Sequence, residues 1–282
     1  MENNTSENSG TLLPSVFDAK KCSNTKLKKT NDRSTSYLLF NGSPMYCESP
    51  WLRAPFGASG FKPKNSDNME WSINLSAASQ DNLNEYELAD LINNWFAQWK
   101  ELDELMITYG IENSKAIFGK EYKPAQREVV KALYSPVVKV KDDYPERIQP
   151  KIPKKRDPSD KNKTIDSPNI SVYFEGDETE TTISTFEELE KLVPKNGYVK
   201  AIVNPQTWYI AGKFGLSLRV LQLLVKKRSG GKPVGYAFST HGVKKETSSP
   251  AALVASMNLS AQPDSDDEAV EDGEGGEEVE EA

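Results

Sequence analysis

Aromatic and cationic side chains alternate with apolar ones in the stretch 198–228, the densest run of β-branched, aromatic and glycine residues in the chain. This composition favours β-strands. If one strand runs on from Trp208, the side chains of Tyr209, Lys213 and Arg219 share one face, because successive strand residues point to opposite sides. A ring beside two cations can stack on flat groups and neutralise phosphates. We therefore treat these three residues as candidate contacts to a polyanion.

The opposite face of the same predicted strand is apolar. It would carry Trp208, Ile210, Phe214, Leu216 and Leu218. We expect Trp208 and Phe214 to belong to the core, since large apolar residues on one face of a strand pack inward. Between 221 and 225 both faces are apolar, so this end is expected to be buried on two sides or bulged.

A second group of rings and cations lies at 51–62, where glycines and prolines indicate a loop or an irregular edge strand with exposed rings. A basic turn of hairpin type is predicted at 226–232, leading into a strand at 234–239. The residues proposed to bind nucleic acid are Arg53, Phe56, Phe61, Lys62, Tyr173, Tyr209, Lys213, Arg219, Lys226, Lys227, Arg228 and Lys232.

Residue types that perform catalysis or bind metal are scarce. His241 is the only histidine, and Cys22 and Cys47 are the only cysteines, too few for a disulfide framework or a thiolate zinc site. The run SGGKP at 229–233 lacks the glycine spacing of a phosphate-binding P-loop. We therefore expect a protein that is not an enzyme and that has no metal site and no cofactor.

The charge of the chain is divided between a basic body and an acidic end. The formal net charge is −7, yet 11 of the 42 acidic residues lie between 264 and 281, and the remaining 31 stand against 35 basic residues. The acidic residues of this tail are Asp264, Asp266, Asp267, Glu268, Glu271, Asp272, Glu274, Glu277, Glu278, Glu280 and Glu281. A flexible polyanion mimics a phosphate backbone, so the tail is expected to compete with a nucleic acid for the basic surface. The alternative is a tail that only keeps the protein soluble.

The remaining elements follow from hydrophobic periodicity. Apolar residues recur at three- and four-residue steps over 84–109, which predicts an amphipathic helix that begins with a capping box at Asn84 and Glu87 and stops at Gly110. Shorter helices are predicted at 124–133 and 185–193, and strands at 36–40, 69–77 and 169–175.

The chain divides into three parts on composition. Residues 1–33 are polar and predicted to be disordered, 34–245 form the folded domain, and 246–282 form a disordered linker with the acidic tail. Within the domain, prolines and lysines at 142–168 predict a long basic loop. The amino terminus lacks the features of a secretory signal, and no apolar run approaches a membrane span, so we expect a reducing compartment and no membrane partner.

Several segments of the sequence resemble those of a known family, the single-stranded-DNA-binding proteins of nucleocytoplasmic large DNA viruses. This family is similar to the phage type, which has an OB barrel and an acidic carboxyl end. The resemblance rests on LRAPFG at 52–57, YVKAIV at 198–203, the run from 208 to 215 that leads into 216–225, and the acidic end. It covers about residues 35–240 and the tail.

The resemblance implies a mainly β fold with helical additions, of the α+β class. It would be an OB-like, five-stranded antiparallel barrel with the long helix covering it or inserted between strands. It also implies work in viral DNA replication, recombination and repair, with the tail contacting a polymerase or helicase, and it leaves a homodimer open. Localisation would be the host cytoplasm or nucleus, or the virion. Phage members end in an aromatic residue, whereas this sequence ends EEA, so only an electrostatic form of tail exchange is expected.

Residues and resemblance together predict a non-catalytic protein that binds single-stranded DNA with little sequence preference. Two alternatives remain open at this point. One is a virion-associated or scaffold protein whose basic loop binds protein or packaged genome. The other is an RNA-binding or transcription factor.

Overall fold

The computed structural model describes residues 10–30, 33–63, 69–77, 87–141, 144–160 and 163–226. All of them belong to one compact unit, and the remaining unit, Gly230–Ala282, lies outside the described residues. Most elements are short strands. In chain order they are β1 Cys22–Asn24, β2 Lys28–Thr30, β3 Arg33–Thr35, β4 Leu38–Phe40, β5 Ser43–Pro44, β6 Cys47–Glu48, β7 Leu52–Ala54, β8 Ala58–Phe61, β9 Glu70–Ile73, β10 Leu75–Ser76, β11 Tyr134–Ser135, β12 Lys139–Lys141, β13 Tyr144–Ile148, β14 Lys151–Ile152, β15 Lys154–Arg156, β16 Thr164–Pro168, β17 Ser171–Phe174, β18 Asp177–Thr181, β19 Gly197–Ile210 and β20 Lys213–Val225.

Four α-helices and two 3-10 turns accompany the strands. The helices are α1 Ala89–Glu112, α2 Ser114–Phe118, α3 Arg127–Leu133 and α4 Phe186–Leu192, and the 3-10 turns are Ala19–Lys21 and Pro124–Gln126. The predicted capping box of the last helix is present, because Thr185 accepts from the Glu188 amide and Glu188 reaches back to the Thr185 amide. The predominance of β structure is confirmed.

Helix α1 supplies much of the core. Its apolar stripe, which predicted the helix, buries Trp95, Phe96 and Trp99 almost completely. The predicted stop at Gly110 is wrong, because α1 continues to Glu112 and Gly110 lies inside it. The reason is tertiary: the helix passes so close to the buried Phe214 ring that a Cβ on Gly110 would lie 2.7 Å from its Cε2 atom. The predicted start with a capping box at Asn84 and Glu87 is wrong, because α1 begins at Ala89 and its N-cap residue, Leu88, makes no side-chain cap hydrogen bond. Asn84 itself lies outside the described residues.

Strands β19 and β20 form one long hairpin, which corrects the single strand predicted from Trp208 onward. Ala211 and Gly212 make a two-residue turn, and both have positive φ angles, 49° and 75°. Positive φ at both turn positions is typical of the tight turns that suit the twist of a hairpin. The turn reverses the predicted faces beyond it, so Tyr209 pairs with Phe214 and Trp208 pairs with Gly215.

The register of the hairpin shifts once, between Ile202 and Val203. This shift confirms the irregularity predicted for 221–225. It keeps Val220 and Leu223 buried on the same side although they are three residues apart.

The main sheet is mixed and has 13 strands, whereas the predicted barrel has five antiparallel strands. On one side β20 pairs with β19, and on the other it pairs in parallel with β11, β14 and β17. Asn74 alone separates β9, which pairs with β14, from β10, which pairs with β7. Because β7 in turn pairs with β19, the pairing path returns toward its start and the sheet curls.

Two segments predicted to lack structure are folded. Residues 10–30, predicted to be disordered, contain strands and bury Phe17 and Ala19, and Phe17 packs against Trp99 with ring centroids 4.8 Å apart. The predicted basic loop at 142–168 contains strands β13 to β16. Its prolines lie near strand ends or between strands, which the sequence pattern alone did not reveal. No helix in the described part of the chain is long and apolar enough to cross a membrane.

Candidate nucleic-acid interface

A trough runs across the outward face of five neighbouring strands, β19, β20, β14, β9 and β8. Strand register aligns one row of residues across it, in which each residue pairs with the next: Asn204, Arg219, Lys151, Ser72 and Ser59. Paired residues point to the same side of a sheet, so this row forms a continuous band. Two adjoining pockets along this face share Lys151, Ser217 and Leu218, and together we call them the trough.

The ring end of the trough lies near the turn of the hairpin. Phe61, Trp208 and Ile210 line it together with the polar side chains of Ser135 and Gln149, around a volume of about 450 Å³. Phe61 is 44% exposed and Ile210 is 67% exposed. Of the five tryptophans in the chain, Trp208 is the only one that is not buried. Flat rings are therefore accessible at this end.

The cationic end of the trough lies beside the β15–β16 hairpin. Lys151, Lys154, Lys155, Arg156 and Arg219 line it around a volume of about 780 Å³. Two of these lysines have carboxylate partners. The Lys151 Nζ lies 2.8 Å from Glu70, which also lines the pocket, and the Lys154 Nζ lies 2.6 Å from Asp166.

The other three cations are not neutralised in this way. Lys155 and Arg156 are exposed, and no ion pair joins either of them to another described residue. The Nε atom of Arg219 is buried and has no hydrogen-bond partner within the described residues. A buried donor without an acceptor costs free energy. Because Arg219 also lines the trough, its guanidinium is a candidate contact for an anion there.

The wall of the ring end is fixed by a buried carboxylate, Asp103 on α1. It accepts hydrogen bonds from the Tyr134 hydroxyl at 2.6 Å and from the Val137 amide at 3.0 Å, and Val137 lines the trough. The pKa of Asp103 is raised above its ordinary value, because burial raises it by more than these hydrogen bonds lower it. Burial likewise lowers the pKa of Lys139, whose Nζ lies 3.3 Å from the Ser135 hydroxyl. Asp103 therefore anchors the segment that frames the rings.

Several residues predicted from the sequence are brought together here. Phe61 and Arg219 line the trough, and Lys213 pairs with Ile210 at the exposed turn of the hairpin. Lys62 is exposed and follows Phe61 directly. These four residues lie on or beside the trough.

Tyr209 is placed differently from the prediction. Its ring lies parallel to that of Phe214, with centroids 6.4 Å apart, and its hydroxyl is 2.8 Å from the Ser36 hydroxyl. Burial raises the pKa of Tyr209 to about 12. Because the turn at Ala211 and Gly212 reverses the faces, Tyr209 packs toward the core, and the prediction that it lies with Lys213 and Arg219 is wrong.

Four further candidates lie away from the trough. Arg53 donates to the Asn196 Oδ1 at 2.9 Å, and Phe56, 52% exposed, follows it in a turn. Tyr173 lines a separate pocket that contains Glu48 and Glu178. Lys226 bonds to Glu175 at 2.8 Å and lies 5.0 Å from the centroid of the Trp51 ring. None of these four residues lines either pocket of the trough.

The other predictions cannot be placed. Lys227, Arg228 and Lys232, the strand at 234–239, His241 and the acidic tail all lie outside the described residues. Among the residues that are described, no group of three or more histidine, cysteine, aspartate or glutamate side chains could hold a metal ion.

The sequence pattern did not indicate Trp208 as a site residue, and it indicated the cations Lys151, Lys155 and Arg156 only as part of a loop. The signal for Trp208 was the turn: a two-residue turn at 211–212 would have moved it to the face of Arg219. The pattern around the three cations was a weaker indication of a site, because short strands interrupted by prolines resemble irregular structure.

No protein-family model matches the chain, and no curated protein matches it. Solved structures do. The single-stranded DNA-binding protein from bacteriophage Enc34 in complex with ssDNA is 12% identical, with a TM-score of 0.40, and the match covers 73% of this chain and 97% of that one. The protein gp2.5, a single-stranded DNA binding protein encoded by bacteriophage T7, is 12% identical with a TM-score of 0.41. This match covers 72% of this chain and 100% of gp2.5.

Proposed function

We propose that the chain binds single-stranded DNA in the trough, without catalysis. The observation that carries the proposal is the trough across β19, β20, β14, β9 and β8, which has accessible rings at one end and a cluster of cations at the other. Proteins that hold single strands combine stacking rings with a cationic path for the backbone, and each stacked base contributes about 1–3 kcal/mol. Phe61 and Trp208 supply the rings, and Arg219, Lys155 and Arg156 supply the path.

The exposed rings favour a single strand over a duplex. In a duplex the faces of the bases are stacked on one another, so Phe61 and Trp208 would find no free face to contact. An unpaired strand offers its bases to the rings and its phosphates to the cationic end at the same time. Little sequence preference is expected, because every base has a face that can stack.

The proposal includes the fold. The path from β7 through β19, β20 and β14 to the interrupted strand β9–β10, and back to β7, has five members if β9 and β10 count as one strand. We infer that this path is an OB-like barrel and that α1 covers one of its ends. Strand β14 runs parallel to β20, so the barrel is mixed.

The acidic tail has a role in the proposal as a competitor. Its 11 carboxylates between 264 and 281 carry the charge pattern of a short nucleic acid, while the trough presents cations. A tail that competes with DNA is set free when DNA binds, and it can then recruit partners such as a polymerase or helicase. A place in viral replication, recombination and repair rests on the resemblance in the sequence alone.

The proposal is tested by measuring the affinity of the full chain for three labelled probes of matched sequence: a DNA single strand, the DNA duplex and an RNA single strand. Fluorescence anisotropy at several salt concentrations gives each dissociation constant. We expect the DNA single strand to bind tightest, with a log–log salt slope of about −0.7 for each phosphate neutralised.

Two outcomes overturn the proposal in different ways. Equal affinity for duplex and single strand would indicate a scaffold or packaging protein that reads charge alone. Tighter binding of RNA would indicate an RNA-binding protein. A chain cut before Asp264 should bind DNA more tightly than the full chain. Unchanged affinity would indicate that the tail only keeps the protein soluble.

A further inference from the structure

A third pocket opens at the opposite end of the β19–β20 hairpin, beyond the register shift. We call it the acidic pocket. It encloses about 320 Å³ and is lined by Glu48, Tyr173, Asp177, Glu178, Lys200, Ala201, Ile202, Gln222, Leu223 and Leu224. Register explains its composition: Tyr173 pairs with Leu224, and Gln222 pairs with Ile202, which in turn pairs with Glu48. The pocket therefore lies across the outward face of strands β17, β20, β19 and β6.

Only some of the apolar side chains that line this pocket belong to the interior. Val199, Leu223 and Val225 point inward and are fully or almost fully buried. Ile202 and Leu224 alternate with them on the two strands, point outward and remain only half-buried, as does Tyr173. Half-exposed apolar side chains gathered in a concave site are typical of a binding surface.

The charge of the pocket is opposite to that of the trough. Four carboxylates, Glu175, Asp177, Glu178 and Glu180, follow one another in the β17–β18 hairpin without a basic residue between them. The one cation that lines the pocket, Lys200, is compensated, because its Nζ lies 3.1 Å from Glu48. Glu178, which lines the rim, is exposed and forms no ion pair with another described residue, so it leaves negative charge there.

Backbone groups are also available beside the pocket. Strand β18, which carries Glu178, pairs with β17 on one side and with no other strand in the described part of the chain. A strand with a free edge can accept an extended peptide as an additional strand.

We propose that the acidic pocket binds an extended, lysine- or arginine-rich segment of a partner protein, whose aliphatic or aromatic anchor enters between Tyr173, Ile202 and Leu224. Charge complementarity selects the occupant: a nucleic acid is repelled by Glu178, whereas a basic peptide is attracted. The surface is separate from the trough, which shares none of its lining residues. The partner can therefore bind while a strand occupies the trough.

The test uses the full chain and two seven-residue peptides, one that alternates lysine with leucine and one that alternates lysine with serine. The acidic tail attracts both peptides by charge alone, so the ratio of their affinities reports the apolar pocket. Burying one leucine side chain is worth about 1.5–3 kcal/mol, so the leucine peptide should bind at least about tenfold tighter. Fluorescence anisotropy at fixed salt measures both dissociation constants.

Substitutions locate the effect. Gln222→Lys places a cation in the pocket at an exposed position and should bring the ratio of the two peptide affinities close to one. Glu178→Lys should weaken binding of the leucine peptide. Glu180→Lys is the matched control, because Glu180 is exposed on the same strand but does not line the pocket, and it should keep the ratio. Circular dichroism confirms that each variant is folded.

Equal affinity of the two peptides for the unmodified chain would overturn this proposal, and so would a ratio that survives Gln222→Lys. Single-strand affinity is measured on the same variants and should change by no more than about twofold, as is usual for surface substitutions away from a site. A chain that binds the leucine peptide but no DNA would refute the function proposed for the trough and leave the acidic pocket standing.

Discussion

Arg219 lies directly opposite Lys151 across a parallel strand pair, and both residues line the cationic end of the trough. Lys151 is joined to Glu70 at 2.8 Å, whereas the buried Nε of Arg219 has no hydrogen-bond partner in the described part of the chain. Two adjacent cations on one face of a sheet are suited to contact a phosphate. This pair is therefore where we expect the backbone of a bound strand to be held most firmly.

Replacing Arg219 with glutamine should lower single-strand affinity about tenfold or more, since a hydrogen bond to a charged group contributes roughly 1.5–3 kcal/mol. The salt slope should also become shallower by about 0.7, the value of one phosphate contact. Arg53→Gln is the matched control, because Arg53 bonds to Asn196 and does not line the trough. Anisotropy titrations that show the same loss for both variants would place the strand elsewhere.

Phe61 and Phe56 allow a comparison between an exposed ring that lines the trough and an exposed ring that does not. They are 44% and 52% exposed, but only Phe61 lines the trough. Phe61→Ala should therefore weaken single-strand binding by about 1–3 kcal/mol, the contribution of one stacked base. Phe56→Ala should leave the dissociation constant unchanged, and a larger loss from Phe56 than from Phe61 would contradict the assignment.

Gly110→Ala tests the packing of α1 on the sheet. Alanine favours a helix interior over glycine by about 1 kcal/mol, but the added Cβ would press on the ring of Phe214. Overpacking a core costs about 1–3 kcal/mol, so we expect a net loss in the free energy of unfolding in urea. Ala97→Gly, at an exposed position of the same helix, should cost only about 1 kcal/mol through its intrinsic propensity. A stabilised Gly110→Ala variant would show that the helix can move away from Phe214.

Asp103 should make stability depend on pH. Burial raises its pKa in the folded protein above the ordinary value of 3.8, so the folded state holds the proton more strongly than the unfolded state. The contribution of this group is complete below pH 3.8 and is lost as the pH rises through the raised folded pKa. The difference in unfolding free energy between the unmodified chain and Asp103→Asn should therefore decrease as the pH rises above 3.8. A difference that stays constant from pH 3 to 7 would mean that the pKa of Asp103 is not shifted by folding.

Patterns that depend on local periodicity predicted their elements well. The stripe of apolar residues predicted α1, and Thr185 with Glu188 predicted the cap of α4, because helix spacing and capping are set by residues three or four apart. The end of α1 could not be predicted, since it depends on how closely Gly110 approaches Phe214 from a distant part of the chain.

The site was harder to predict because one turn decides which side each ring faces. Ala211 adopts a positive φ that alanine rarely takes, so the sequence gives little sign of the turn. Without it, Tyr209 is assigned to the binding face and Trp208 to the core, the reverse of what the hairpin does. The row of Asn204, Arg219, Lys151, Ser72 and Ser59 joins strands far apart in sequence, and no local pattern encodes that register.

Ultraviolet cross-linking of the full chain to a DNA single strand, followed by mass spectrometry of the linked peptides, tests the central claim most directly. The account predicts cross-links at Phe61 and Trp208, the two rings that line the trough, and none at Phe56 or Tyr173. An excess of competing duplex should leave these cross-links in place. Cross-links at Phe56 or Tyr173 with none at Phe61 and Trp208 would contradict it.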